Sequence, residues 1–203
     1  MPVRSSTLSD FSFDAAYYQR FYRDRRTRVA DRKSCELLAG FVFAYLDYLQ
    51  LPVERVLDLG CGTGLWRREV RRRNPGAVYV GVEKSEYACR TYGWEPGSVV
   101  DYRARERFDL VICQGVLQYL NDGEAEAALL NLPRLAPSAL YLEALTAEDW
   151  KRNCNRERTD GQVHLRSAAW YRKRLRLHFR NCGGGLFLAK GSPAVLYELE
   201  TLT

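Results

Sequence analysis

The 203-residue chain has no long, uninterrupted run of apolar side chains. A membrane-spanning helix needs about 20 consecutive apolar residues, and no segment approaches that length. The first residues, 1–6, also lack the apolar stretch that is typical of a secretory signal. We therefore expect a protein that works in the cytoplasm, away from membranes.

Patterns typical of metal sites and disulfide frameworks are also lacking. Six cysteines are present, but no two of them form a Cys-x-x-Cys pair, and the chain has only two histidines. A structural zinc site needs four such ligands, commonly at short spacings, so we expect no metal site. Several cysteines lie in apolar, strand-like segments, which favours reduced and mostly buried thiols in a reducing compartment.

Positive charge is in modest excess and is scattered along the chain. The 31 basic and 25 acidic residues give a net charge of +6, and acidic residues interrupt several of the arginine-rich groups. A nucleic-acid-binding protein gathers its positive charge on one face. We favour solvated helix faces and expect no strong nucleic-acid binding, with a basic face formed by folding as the alternative.

Short β-rich runs alternate with helical segments from residue 53 onward. This alternation predicts a doubly wound, mostly parallel sheet with helices on both faces. A final pair of runs around a turn at 190–193 predicts a hairpin that completes a seven-stranded sheet with an antiparallel strand. The predicted strands are 53–60, 77–83, 98–102, 108–114, 139–145, 185–189 and 194–200.

Helical periodicity and capping residues predict the helices between and before these strands. Asn121 begins one helix with Glu124 three residues later, as in a capping box, and Ser167 caps another over 168–178. Further helices are predicted at 14–24, 34–50, 65–73 and 85–94. We expect one domain, made of an N-terminal arm and helical lid (1–50), a ligand-binding core (51–145), a loop (146–167) and a C-terminal helix and hairpin (168–203).

A glycine-rich loop follows the first predicted strand. Its sequence over 58–64 is Asp-Leu-Gly-Cys-Gly-Thr-Gly, where the glycines allow a tight bend and close approach of a ligand to the backbone. The spacing is Gly-x-Gly-x-Gly, which differs from the Gly-x-Gly-x-x-Gly of dinucleotide enzymes. No Gly-Lys-Ser/Thr follows, which excludes a nucleotide triphosphate loop. A ligand without a pyrophosphate fits this loop better.

Glu83 ends the second predicted strand, 19 positions after Gly64. A carboxylate there can accept hydrogen bonds from both hydroxyls of a ribose. An exposed charge at the end of a strand is the alternative. Paired with the glycine loop, Glu83 favours ribose binding.

Four segments together resemble the class I S-adenosylmethionine-dependent methyltransferases. The loop 58–64 resembles their first signature, Gly-Val-Glu at 81–83 their second, Val-Asp at 100–101 their third and 108–120 their fourth. The resemblance covers about residues 50–145 and includes the final hairpin. One departure is that only residues 103–107 separate the third and fourth predicted strands, so the helix usual at that place is nearly absent.

The resemblance implies S-adenosylmethionine as the cofactor and S-adenosylhomocysteine as its product. It implies that the methionine part meets the loop and the fourth strand, that Glu83 holds the ribose, and that Asp101 accepts a hydrogen bond from the adenine amino group. The full set of implied cofactor contacts is Asp58, Gly60, Cys61, Gly62, Gly64, Glu83, Lys84, Asp101 and Gln114.

Two segments outside this core could bind the methyl acceptor. The aromatic helix at 14–24 is predicted to be part of a closing lid over 14–28 in which Tyr17 and Tyr22 contact ligands, with ordinary packing as the alternative. The polar loop 146–166 is long for a connection and leaves the sheet edge where ligands bind. It contains His164, our candidate catalytic residue, although a structural histidine is the alternative. Tyr119 and Tyr171 are predicted as further substrate or lid contacts.

The leading hypothesis is a methyltransferase that acts on O, N or C of a small-molecule acceptor. The arginines suggest an RNA or protein methyltransferase as the alternative, and the small size of the chain counts against it. A non-catalytic, cofactor-binding regulatory partner is a further alternative, because an intact cofactor site does not prove turnover.

Overall fold

A computed structural model describes residues 12–28, 31–156 and 158–200. The arm predicted over 1–13 therefore lies almost wholly outside the described residues. Within the described part, no helix has both the length and the apolar character that crossing a bilayer requires.

Among the described residues, seven strands form one sheet in the order β3-β2-β1-β4-β5-β7-β6. Strands β1 to β5 pair in parallel, and β7 is antiparallel to both β5 and β6. The predicted doubly wound sheet with an antiparallel C-terminal hairpin is thus confirmed. The strands are β1 (Arg55–Leu59), β2 (Val78–Glu83), β3 (Glu95–Pro96), β4 (Leu110–Gln114), β5 (Ala139–Glu143), β6 (Phe179–Asn181) and β7 (Leu186–Ala189).

Helices cover both faces of this sheet. Asp31, Ser85, Asn121 and Ser167 each cap a helix with a side-chain oxygen, and Asn121 and Glu124 form the predicted capping box. The helices are α1 (Ala15–Tyr18), α2 (Arg32–Tyr48), α3 (Leu65–Arg73), α4 (Glu86–Tyr92), α5 (Asp122–Leu135), α6 (Ala147–Arg152) and α7 (Ala168–Leu175).

The central strands are apolar on both faces because each face packs against a helical layer. Leu110 and Ile112 of β4 point toward α2 and α3, whereas Val111 and Cys113 point toward α5 and α7. These four side chains are fully buried. Two cores therefore sandwich the sheet and fix the carboxyl ends of β1, β2 and β4 at one edge.

The third strand lies earlier in the chain than predicted. Residues 95–96 pair with Val82 and Glu83 at the edge of the sheet, and residues 99–101 form a turn. Proline is tolerated on an edge strand, so Pro96 does not prevent this pairing. The side chain of Asn131 donates to the carbonyl oxygens of Val99 and Tyr102, so these two backbone groups have hydrogen-bond partners without a neighbouring strand. The predicted strand at 98–102 is wrong for that reason.

The C-terminal hairpin is also shifted relative to the prediction. Strands β6 and β7 flank a turn at 182–185, and residues 194–200 form no strand but end in a 3₁₀ turn, Glu198–Glu200. Gly183, Gly184 and Gly185 have φ values of 83°, 56° and 81°, a left-handed conformation that glycine adopts at little cost. Three consecutive glycines at 183–185 were a stronger turn signal than the segment 190–193.

The N-terminal helical segment and the loop after β5 differ in detail from the prediction. Helix α1 continues into a π-helical turn, Gln19–Arg23, so the segment is helical but irregular. The segment 146–167 contains the short helix α6 and is tied at its ends by a bridge between Thr146 and Arg166. Helix α7 ends at Leu175, so His178, the last residue of the predicted helix, lies beyond the observed one.

Candidate active site

The glycine loop follows β1 and leads into α3. Gly60, Gly62 and Gly64 have φ values of 75°, 53° and 77°, which L side chains rarely adopt. A Cβ on Gly60 would lie 2.3 Å from Val116, and one on Gly64 would lie 2.6 Å from Trp94. The loop therefore needs glycine both for its backbone conformation and for the close approach of its neighbours.

Glu83 at the end of β2 holds this loop in place. The side chain is 7% exposed, and its Oε2 accepts a hydrogen bond from the Gly62 N–H at 2.9 Å. Its Oε1 accepts from the N–H groups of Lys84 and Ser85 at 2.8 and 3.0 Å. A carboxylate has about four acceptor positions, so Glu83 keeps capacity for a ligand hydroxyl beside these backbone contacts.

Asp58 supplies a second buried carboxyl group beside the loop. It is 2% exposed and accepts a hydrogen bond of 2.5 Å from the Tyr79 hydroxyl. Burial raises the pKa of Asp58 to about 7, the Tyr79 hydrogen bond opposes that rise, and the charge of Glu83 adds to it. A cationic ligand group beside Asp58 would stabilise its ionised form.

A cavity of ≈ 710 Å³ opens at the carboxyl ends of β1, β4 and β5. The glycine loop lines one part of its wall, and residues 153–155 and 158–160 line another. Its lining includes the predicted residues Tyr17, Tyr22, Asp58, Gly60, Cys61, Gly62, Gln114 and Tyr119. The fold therefore brings together residues from four separate parts of the sequence, and we call this space the main cavity.

A chain of hydrogen bonds orients the polar groups along one wall of the main cavity. The Trp66 indole N–H donates to Gln114 Oε1 at 2.8 Å, and Gln114 Nε2 donates to Glu143 Oε2 at 3.2 Å. The Tyr141 hydroxyl donates to the same Glu143 oxygen at 2.9 Å. The Gln114 amide is thereby fixed between α3 and β5, so its orientation is set before a ligand binds.

The aromatic N-terminal segment covers the glycine loop. Tyr17, Tyr18 and Phe21 are buried against Cys61, Ala88 and Trp94. The Tyr17 and Tyr119 hydroxyls lie 3.0 Å apart, and Tyr22 lies against Gly62. Burial raises the pKa of Tyr119 to about 12 and the pKa of Tyr17 well above its ordinary value. These hydroxyls are therefore neutral at physiological pH and can donate or accept hydrogen bonds.

Known proteins that are similar to this chain are methyltransferases. The family described as "Methyltransferase domain" matches residues 57–137. The trans-aconitate 2-methyltransferase of Pseudomonas aeruginosa strain UCBPP-PA14 is 32% identical over 168 residues, which cover 78% of this chain and 54% of that protein. The ubiquinone biosynthesis O-methyltransferase of Hahella chejuensis is 38% identical over 94 residues, which cover 38% of this chain and 39% of that protein.

A solved structure has the same fold over most of its length. It is S-adenosylmethionine-bound CalS10 from Micromonospora echinaspora, an amino pentose methyltransferase, with a TM-score of 0.58 at 17% identity over 81% of this chain and 93% of that one. The chain therefore shares the fold of the class I S-adenosylmethionine-dependent methyltransferases and, over residues 57–137, matches their sequence pattern. The resemblance predicted from residues 58–120 is thus confirmed, and the predicted cofactor is that of the resembled family. The chain spans about half the length of the curated relatives it matches.

A second cavity of ≈ 650 Å³ lies beside the main cavity. Lys84, Ser85 and His164 line it, and Tyr119 lines both cavities. The backbone N–H of His164 donates to the Gln118 carbonyl oxygen at 2.7 Å. The structure thus places the candidate catalytic histidine near Lys84, and not among the described lining residues of the main cavity.

Two predicted contact residues do not occur among the described lining residues of either cavity. Asp101 is exposed in the turn at 99–101 and does not occur among the described lining residues. Tyr171 is buried in the core with α5, and its hydroxyl accepts a hydrogen bond from Arg166 at 3.4 Å. Tyr171 therefore packs in the core and does not occur among the described lining residues of either cavity.

Several site residues were not identified from the sequence. Trp94 lies beneath the glycine loop, Trp66 orients Gln114, and Gln118 and Asp160 are buried polar residues of the main cavity. Trp66 follows the glycine loop by two residues and Gln118 lies within the fourth signature, so proximity to those motifs was an available signal. Asp160 had no comparable signal, because only folding brings it to the same cavity as the glycine loop.

Proposed function

We propose that this methyltransferase moves the methyl group of S-adenosylmethionine to O, N or C of a small-molecule acceptor. The observation that carries the proposal is the continuity of the main cavity, which runs from the glycine loop to residues 153–155 and 158–160. Its volume of ≈ 710 Å³ is in the range of small-molecule sites, about 300–1,000 Å³. One space thus offers room for a methyl donor and a small acceptor side by side.

The residues present fit the family's cofactor. The buried Asp58 has the Tyr79 hydroxyl as its donor and lines the main cavity, so it suits the ammonium group of the methionine part. Glu83 would hold the ribose, with Lys84 and Ser85 beside it at the second cavity. Gly60, Cys61, Gly62, Gly64 and Gln114 would line the methionine end. Asp101 stays a predicted adenine contact.

When bound, S-adenosylmethionine would supply a methyl group already activated by its sulfonium, and the departing sulfur would become a neutral thioether once the acceptor atom takes the methyl carbon. The protein's task is to align the two partners and to exclude water. Tyr17, Phe21 and Tyr22 support that task because they cover the glycine loop. A basic side chain is needed only where the attacking atom must lose a proton. His164, which lines the second cavity, stays a predicted proton acceptor.

A small acceptor is supported by the relatives as well as by the cavity. The two curated relatives are named for trans-aconitate and for ubiquinone biosynthesis, both small-molecule chemistry. The experiment incubates the protein with S-adenosylmethionine and a library of small acceptors, and detects S-adenosylhomocysteine by mass spectrometry. Acceptor-dependent formation of that product is expected. Cofactor binding without turnover for any acceptor would instead favour a regulatory, non-catalytic protein.

An RNA acceptor is the competing proposal, and a gel-shift assay separates the two. We expect at most weak, salt-sensitive binding from the surface arginines, with no discrete complex at physiological salt. Submicromolar, sequence-selective binding would instead favour an RNA methyltransferase.

A further inference from the structure

Asp160 is a buried carboxylate on the wall of the main cavity. Its side chain is 7% exposed, and its Oδ1 accepts a hydrogen bond of 3.0 Å from the Gln162 N–H. Its Oδ2 is buried and has no hydrogen-bond partner among the residues that the structure describes. A buried polar atom without a partner is costly, so this oxygen points to a donor that a ligand supplies.

Gln118 presents a second acceptor of the same kind. It belongs to the 3₁₀ turn Leu117–Tyr119 and is 8% exposed. Its Oε1 is likewise buried and unpaired within the described part of the chain. Asp160 and Gln118 both line the main cavity. Two buried acceptors in one cavity call for a ligand with at least two N–H or O–H groups.

The charges around the cavity favour a cationic ligand group. Carboxylates on the described wall outnumber arginines by four to two, and one of the arginines, Arg28, pairs with Asp31 at 3.2 Å. The four carboxylates are Asp58, Glu143, Asp149 and Asp160, and the second arginine is Arg158. An anionic group would meet net repulsion here, whereas an ammonium group would compensate a buried charge.

Aromatic rings lie near the carboxylate of Asp160. Burial chiefly raises the pKa of Tyr119 to about 12, and the nearby charge of Asp160 adds to that rise. The charge of Asp160 also adds to the raised pKa of Tyr17, which burial again chiefly causes. Both tyrosines line the main cavity. A cation held at Asp160 would therefore also meet aromatic faces, which attract it.

We propose that the acceptor carries a protonated amine that binds Asp160 Oδ2, and a second donor that meets Gln118 Oε1. This inference rests on the proposed methyltransferase function and specifies its acceptor as an amine-bearing small molecule. Asp58, which reaches the cavity from β1 beside the glycine loop, is left for the cofactor. Asp160 acts in recognition, and its role does not depend on which acceptor atom is methylated.

The experiment compares acceptors that differ only in one terminal group. Tyramine, 4-ethylphenol and 3-(4-hydroxyphenyl)propionate form one matched series with an ammonium, no charge and a carboxylate. D-Glucosamine, D-glucose and D-glucuronate form another. Binding to the protein saturated with S-adenosylhomocysteine is measured by ligand-observed NMR. We expect the ammonium compound to bind best in at least one series, by about tenfold or more over the neutral one, and trans-aconitate not to bind.

Variants then assign the preference to Asp160. Asp160→Asn should remove the preference for ammonium while the affinity for S-adenosylhomocysteine stays unchanged, and Asp160→Glu should retain part of it. Glu148→Gln removes an exposed carboxylate near the start of the same segment and should change neither property. The wild-type order of affinities already tests the inference if Asp160→Asn fails to fold.

The outcomes separate this inference from the function on which it rests. Binding of S-adenosylhomocysteine with equal or absent binding of the ammonium compounds would overturn the inference and leave the proposed function in place. Loss of S-adenosylhomocysteine affinity in Asp160→Asn would make Asp160 a cofactor residue and also overturn it. Failure of the wild-type protein to bind S-adenosylhomocysteine would overturn both.

Discussion

The indole N–H of Trp94 donates a hydrogen bond of 2.8 Å to the carbonyl oxygen of Gly62. Glu83 accepts the N–H of the same glycine, so one residue of the loop is held through both of its backbone polar groups. The indole ring also fills the space beside Gly64 and Gly81, where a Cβ on either glycine would lie 2.6 Å from it. The loop conformation is therefore built into the protein by Trp94 and Glu83.

Replacing Trp94 with Phe should loosen the loop. Phe keeps an aromatic ring but cannot donate to Gly62, which leaves a buried carbonyl oxygen unpaired at a cost of about 1–3 kcal/mol. We expect a lower free energy of unfolding by about that amount and weaker binding of S-adenosylhomocysteine, measured by urea denaturation and calorimetry. Trp170→Phe is the control and should leave cofactor affinity unchanged, because Trp170 packs against the core on the α5 face of the sheet, away from the glycine loop.

Replacing Glu83 with Ala should weaken binding of S-adenosylhomocysteine by ~2 kcal/mol or more, because charge-assisted hydrogen bonds to the ribose are lost. The same change removes the acceptor of three backbone N–H groups, so the melting temperature should fall as well. Glu86→Ala, at an exposed position on α4, is the matched control. Unchanged calorimetric affinity in Glu83→Ala would rule out the ribose assignment.

Asp58 should make both stability and binding depend on pH. Its pKa in the folded protein is about 7, above the ordinary 3.8, so the folded state binds more protons than the unfolded state between these values. The stability contribution of Asp58 is therefore complete below about pH 4 and is lost as the pH rises through about 7. Binding of S-adenosylhomocysteine should change in the opposite direction, since ionised Asp58 pairs with its ammonium group.

Asp58→Asn isolates the part of the pH dependence that Asp58 causes from the parts that other titrating groups cause. The unfolding free energy of the wild type should fall relative to that of the variant as the pH is raised from about 5 to about 8. The variant should also bind S-adenosylhomocysteine more weakly at the upper end. Identical pH profiles for the two proteins would show that Asp58 does not titrate in this range.

Much of the fold was predictable because it depends on local patterns. Apolar runs gave β1, β2, β4 and β5, and polar caps such as Asn121 and Ser167 gave helix starts. The prediction of the third strand failed because two residues at a sheet edge carry little periodic signal. The turn that follows depends on hydrogen bonds from Asn131, which is 29 residues or more away in the sequence.

The site was predictable where one segment carries it and not where folding assembles it. The loop 58–64 and Glu83 follow directly from a motif that is continuous in sequence. Trp94 and Asp160 act through contacts that only folding creates, and their own sequence environments give no sign of those contacts. Gln118 lies within the fourth signature, but its place on the cavity wall is likewise set by folding. The acceptor side is therefore visible only after folding.

The N-terminal segment 14–28 should behave as a lid. In its described position Tyr17 and Phe21 are buried over the glycine loop, yet arginines surround them and their main partners belong to the site itself. Hydrogen–deuterium exchange should be fast in this segment without ligand and slower with S-adenosylhomocysteine bound. Strong, equal protection in both states would show that the segment is fixed core.

The most direct measurement of the central claim follows the methyl group itself. S-Adenosylmethionine with an isotopically labelled methyl group is incubated with the protein and the small-acceptor library, and products are read by mass spectrometry. The account predicts that S-adenosylhomocysteine forms and that one acceptor gains the labelled methyl, while calorimetry shows binding of S-adenosylhomocysteine but not of NAD. Absence of binding to S-adenosylmethionine and S-adenosylhomocysteine, or labelled methyl found in RNA or protein and in no small molecule, would contradict it.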